Sequence, residues 1–304
     1  MRIYTGLDVN SDFGGRFPWK SQFVDHGGVK QAYVDEGPRD AKVTFVCLHG
    51  NPTWSFLWRK VMSALEGQRL RILAPDLLGC GRSSKPGEVS WHTLDRHALA
   101  LSTWMEARRL VDPVLVIQDW GGPIGLLAAA RAPSIPVSAV CILNTGVILP
   151  RQLRGTSFHR LARLPLLAPV LFRGLGFPLG LLDRVQGDRR SISGDVARAY
   201  RWPFRRAVDR AAPLGLARMV PDAPGHPSVP GLRAAEAWIR AFPGPVELVW
   251  GRKDPLLGKA LRRHTEQLPR ARVTETDAGH FLQEEVPEII ARSIRRLAGM
   301  QEAP

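Results

Sequence analysis

Apolar positions along this chain fall into short runs separated by stretches of helical period. Val43–Leu48, Leu70–Ala74, Val114–Gln118, Val137–Leu143, Val246–Trp250 and Arg272–Thr276 are of strand length, and Gln31–Gly37 alternates before ending at a glycine. Between them, Trp54–Leu65, residues 93–109, the stretch from Gly121 to Arg131 and Pro287–Leu297 carry apolar residues at helical spacing. Residues 1–25 have neither period and read as a loop. Strands alternating with helices predict an α/β fold whose doubly wound, mostly parallel sheet is covered on both faces. The alternation stops at Gly146 and resumes after Pro230. Segments such as Phe158–Phe172 and Ile192–Trp202 suggest helices in this gap. The expected organisation is therefore a core of residues 1–145 and 231–304 with an inserted helical cap, 146–230.

Composition narrows the class. The 304 residues are 44% hydrophobic and 23% charged, ordinary for a globular protein. The first ten residues contain no apolar leader core, so no signal peptide is expected. No uncharged run approaches 18 residues; Leu164–Leu182 comes nearest but contains Arg173 and several Gly and Pro. Its leucines suit the lining of a cap better than a membrane surface. Cys47, Cys80 and Cys141 are odd in number and widely spaced, with neither a disulfide framework nor a zinc pattern, so a reducing cytoplasm is expected. The net charge is +14, yet only seven of the 42 basic residues are lysines and the arginines are spread throughout. Without a basic run or an interleaved aromatic platform, this reads as a solvated surface and not a nucleic-acid site.

The chemistry centres on Val114–Leu126. A buried run ends at Gln118, Asp119 and Trp120 follow, and Gly121, Gly122 and Pro123 open a helix. An aspartate at such a strand–turn–helix stands clear of the sheet. Two more candidates follow strands downstream: Asp254 after Val246–Trp250, and His280 after Arg272–Thr276. Sites in open α/β sheets form at the carboxyl ends of strands. Aspartate, with an ordinary pKa of about 4, is already anionic at neutral pH and suits displacement at saturated carbon, giving an ester. His280 would then activate water, and Asp254 would orient the ring. The ester oxyanion needs donors, and the backbone N–H groups of Trp120 and Asn51 are placed for it. Their side chains, an indole and an amide, donate hydrogen bonds without giving up a proton, which suits a departing halide. His49 is expected to brace the turn that contains Pro52, a candidate cis site. The remaining histidines, including His159, read as surface or packing residues.

These residues resemble the haloalkane dehalogenases of the α/β-hydrolase superfamily. The resemblance runs through His49–Arg59, Asp76–Pro86, Gln118–Gly122, Trp250–Asp254 and Ala278–Glu284, and matches the cap only in position. It implies Asp119 as nucleophile, His280 as base, Asp254 as acid, and Asn51 and Trp120 as halide donors, with no cofactor or metal. The implied partners are an apolar small molecule, water and halide, and the chain is expected to be monomeric. In part of that family the acid follows the strand before the cap; here Asn144-Thr145 stands there, leaving Asp254. Some members supply a halide-binding tryptophan from the cap, for which Trp202 is the candidate.

The nearest alternative is a β-lactone decarboxylase, since those enzymes resemble haloalkane dehalogenases and have the same site residues. An epoxide hydrolase would need two cap tyrosines, and only Tyr200 lies there. Trp120 argues against haloacid dehalogenases, which place an arginine after the nucleophile. Serine esterases need G-x-S-x-G, which is absent. A binding protein of this fold would lack a catalytic residue, and all three are present.

Overall fold

The computed structural model describes residues 11–300. Eight strands form one sheet: β1 (Ser21–Asp25), β2 (Lys30–Glu36), β3 (Thr44–Leu48), β4 (Arg71–Pro75), β5 (Val114–Gln118), β6 (Ala139–Leu143), β7 (Val246–Gly251) and β8 (Arg272–Thr276). Their order is β1-β2-β4-β3-β5-β6-β7-β8, with only the β1–β2 and β2–β4 pairs antiparallel. This is the expected α/β architecture with one correction. Residues 21–25, read as loop, form edge strand β1, turned onto β2 through Gly27 and Gly28. With solvent on much of it, this strand lacks a clear apolar alternation; its Phe23 is exposed.

Successive side chains of a strand point to opposite faces, and the central strands serve two cores at once. In β5, Leu115 and Ile117 face one core, and Val114 and Val116 the other. This explains why the central strands are continuous apolar runs, as buried parallel strands must be. The helices are α1 (Arg59–Ala64), α2 (Leu94–Ala107), α3 (Gly121–Arg131), α4 (Ser157–Ala162), α5 (Gly194–Arg201), α6 (Ala211–Arg218), α7 (Val229–Ala241), α8 (Leu261–Gln267), α9 (Leu282–Glu285) and α10 (Pro287–Leu297). On one face α3 packs between α2 and α7; on the other α1 packs on α10.

Between β6 and β7 the described residues hold no strand. Phe158–Phe172, read as one helical stretch, is two pieces: α4, and a wide turn at Pro169–Gly174. Pro165 and Pro169, which donate no backbone hydrogen bond, account for the break. Ala162, Phe172, Leu214 and Ala217 form a small core of their own. The leucines of this region do not all turn inward: Leu166 and Leu175 are 87% and 75% exposed. Helix α7 runs across residue 230, the boundary expected from sequence, and packs on α3.

Candidate active site

The turn after β5 is built by close approach. Asp119 has φ of 47°, in the left-handed region, so its side chain leaves the strand direction just before α3 begins. Gly121 passes so close to the carbonyls of Leu48 and His49 that a Cβ there would collide with backbone. The chain after β3 is therefore held directly against the turn. Asn51 N–H donates to Asp119 Oδ1 at 2.7 Å. Thr145 Oγ1 donates to the Asp119 carbonyl at 2.5 Å, and Asp119 N–H donates to Asn144 O at 3.2 Å. His49 braces the loop: Nε2 accepts from Leu77 N–H and Nδ1 lies on Gly50 O, both at 2.9 Å. The Asn51–Pro52 bond is cis.

Asp119, Asp254 and His280 come together at the carboxyl ends of β5, β7 and β8. His280 Nδ1 lies 2.8 Å from Asp254 Oδ2, and its Nε2 lies 3.5 Å from Asp119 Oδ2. Burial alone works to lower the His280 pKa, but the two carboxylates outweigh it and raise the value to about 10. Burial likewise works to raise the Asp254 pKa; His280, Asn144 and the Leu256 N–H overcome it and hold the carboxyl below its usual value. The His280 ring thus lies between two carboxyl groups that favour its protonated form over the neutral one.

Several contributors were not legible as such. Asn144 donates through Nδ2 to Asp254 Oδ2 at 2.7 Å, while its Oδ1 accepts from Gly251 N–H at 2.8 Å. Its place at the end of β6 was the available signal, but an asparagine there registers only as a missing acid. Gln118 donates to the His280 carbonyl at 3.1 Å. A cavity of about 350 Å³ opens over Asp119 and Trp120, walled by Leu149, Leu256 and Leu257 and by His159 from α4. The Trp120 indole N–H has no hydrogen-bond partner among the described residues, and Asn51 Nδ2 donates to Pro213 O at 3.1 Å.

Trp202, the candidate for a halide-binding tryptophan from the cap, is elsewhere. It stacks on Trp54 with ring centroids 5.7 Å apart and meets Phe13 edge-on at 5.3 Å, away from the Asp119 cavity. Tyr200 is also engaged elsewhere: its buried hydroxyl donates to Glu284 Oε1 at 2.5 Å. It is not free to protonate an alkoxide over Asp119, as an epoxide hydrolase would require.

The doubly wound sheet, the strained turn at Asp119 and the order Asp119, Asp254, His280 define an α/β-hydrolase, and the sequence model of the α/β-hydrolase fold matches residues 43–165. A haloalkane dehalogenase of Mycobacterium marinum is 33% identical over 287 residues, spanning 91% of this chain and 94% of the relative. The chain belongs to the haloalkane dehalogenase family. A cis-3-alkyl-4-alkyloxetan-2-one decarboxylase of Shewanella oneidensis is 31% identical, over 91% of this chain and 88% of its own. Among solved structures, a haloalkane dehalogenase from Paraglaciecola agarilytica, described as tetrameric, superposes with a TM-score of 0.81 at 29% identity, covering 96% and 97% of the two chains. Another, from Bradyrhizobium elkani, gives 0.80 at 27% identity over 92% and 97%. Among the described residues no helix is long and apolar enough to cross a membrane.

Proposed function

We propose that the protein hydrolyses haloalkanes to alcohol and halide through an ester on Asp119. The observation that carries this is the division of the Asp119 carboxylate: Oδ1 accepts the Asn51 N–H and Oδ2 faces His280. Oδ2 is the attacking oxygen. It forms a bond to the saturated carbon as the carbon–halogen bond breaks, and the halide leaves with the electron pair. The indole N–H of Trp120 and the second amide N–H of Asn51 receive that halide. Oδ1 becomes the ester carbonyl, already seated at the Asn51 N–H, with the Trp120 N–H as second oxyanion donor.

Esterification also switches His280. The Asp119 charge and hydrogen bond are among the causes that hold its pKa near 10. Once Asp119 is a neutral ester they are gone, and the ring gives up its proton more readily. Neutral His280 then takes a proton from water as the water attacks the ester carbonyl. Collapse expels the alcohol, which leaves with that proton, and Asp119 is restored. Asp254 holds the ring through Nδ1 and stabilises the imidazolium. The core of residues 1–145 and 231–304 carries this machinery, and the cap, residues 146–230, covers it. We read the chain as a cytoplasmic monomer, its three cysteines free and buried, taking an apolar small molecule and water without nucleic acid.

The kinship to the oxetanone decarboxylase makes a β-lactone the second substrate to test. Purified protein is incubated with 1-bromobutane, 1,2-dibromoethane, styrene oxide and a dialkyl β-lactone. Bromide release is expected; olefin and CO₂ from the lactone, without bromide from the haloalkanes, would replace this reading. With His280→Phe and 1-bromobutane, intact-mass spectrometry should show a butyl adduct that maps to Asp119.

A further inference from the structure

His159 stands in the wall of the Asp119 cavity, on α4, although nothing in its sequence context distinguishes it. Its ring is fixed at one end. The Thr156 backbone N–H donates to His159 Nδ1 at 3.2 Å, and Thr156 Oγ1 lies 2.9 Å from the same atom, completing a reciprocal cap on α4. An N–H donor on Nδ1 requires a lone pair there, so the neutral ring carries its proton on Nε2. Nε2 has no hydrogen-bond partner among the described residues and is not fully buried. Asp119 is close enough for its charge to act on the ring.

Resting on the dehalogenation reading, we propose that His159 is a leaving-group donor supplied by the cap, its Nε2–H sharing the departing halide with Trp120. Two observations favour it over a packing role. One of the two Asn51 amide N–H groups is held by Pro213 O, so the floor of the site has fewer free donors than its residue types suggest. The cap tryptophan that could have added one, Trp202, is stacked on Trp54. Burial, working against the pull of Asp119, lowers the His159 pKa to about 4, and the ring stays neutral at pH 7. It therefore donates a hydrogen bond without delivering a proton, as a halide requires. In the alkylation step the bond from Asp119 Oδ2 to carbon forms, the carbon–halogen bond breaks, and His159 keeps its proton throughout.

Three variants separate the two ends of the ring. His159→Asn keeps an acceptor near the Nδ1 position for Thr156 and removes the Nε2 donor. His159→Gln restores an N–H near Nε2, and His159→Phe removes both. The readouts are the bromide inhibition constant and the rate of bromide release from 1-bromobutane, with thermal melting as a control for folding. We expect His159→Asn to weaken bromide inhibition and slow release by about tenfold each, the scale of one hydrogen bond to an ion. His159→Gln should recover most of both. If His159→Asn matches the wild type in both readouts while the wild type releases bromide, the role of His159 is overturned and the dehalogenation reading stands. If the wild type neither releases bromide nor is inhibited by it, both fall together.

Discussion

Among single residues, Asn144 has the sharpest consequence. Its amide bridges Asp254 and Gly251, so it fixes the carboxylate that in turn fixes His280. Replacing it with alanine leaves Asp254 with one donor fewer in a buried site. A hydrogen bond to a charged group contributes roughly 1.5–3 kcal/mol. Asn144→Ala is therefore expected to slow ester hydrolysis by about 10- to 100-fold and alkylation less, so that single-turnover kinetics on 1-bromobutane show the adduct accumulating. Equal slowing of both steps would deny it this role. Sequence alone could not assign it, because an amide has no charge or titration to advertise it and acts only through a partner 110 positions away. Asp119, Asp254 and His280 were legible for the opposite reason: each lies in the loop just beyond a strand, Asp119 immediately after β5 and the other two shortly after β7 and β8. His159 was not, since its role depends on how α4 lies over the core.

At the scale of elements, contacts between segments hold the site. Arg59 of α1 and Glu284 of α9 form a buried bidentate pair, and Tyr200 of α5 donates to the same carboxylate. Glu284→Gln would strand a buried guanidinium and should cost about 3–5 kcal/mol, read as a shift in the urea midpoint. Tyr200→Phe should cost about 1 kcal/mol and leave bromide release unchanged. A loss of turnover in Tyr200→Phe at full stability would reopen the epoxide reading. Gly121→Ala should be more damaging to function than to folding. Forcing Leu48 and His49 back costs on the order of 1–3 kcal/mol and moves Asn51 N–H off Asp119 Oδ1. The core strands were legible because burial on both faces leaves a continuous apolar run. The β1 strand and the pieces of the 158–172 stretch were not, because an edge and a proline-broken segment lack a regular period.

Across the whole molecule, buried histidines set the pH range of stability. Burial lowers the pKa of His92 and His264 to about 4, and those of His49 and His97 fall below the ordinary 6.5 as well. The unfolded chain therefore takes up protons first as pH falls below 6.5. Stability from these groups is present above that value and is lost on the way to pH 4, by up to about 1.4 kcal/mol per pH unit for each. His280 has the opposite sign. Raised to about 10, it contributes stability that is complete below 6.5 and disappears as pH rises through 10. The melting temperature should thus be highest near pH 7 and fall on both sides. Scanning calorimetry across pH 4–11 tests this, and a melting temperature still rising below pH 6 would contradict it.

The bond from Asn51 Nδ2 to Pro213 O bears on modularity. Asn51 carries the N–H that seats Asp119 Oδ1, and Pro213 lies in α6, within the inserted region. The alignment of Asp119 is thus tied, through one side chain, to a carbonyl in the inserted region. A chimaera that takes its cap from a relative inherits this core's chemistry only if the donor cap presents a carbonyl at the same spot. Engineering of substrate range by cap exchange should therefore be limited first by registration of the nucleophile, before any question of how the new cavity fits its ligand.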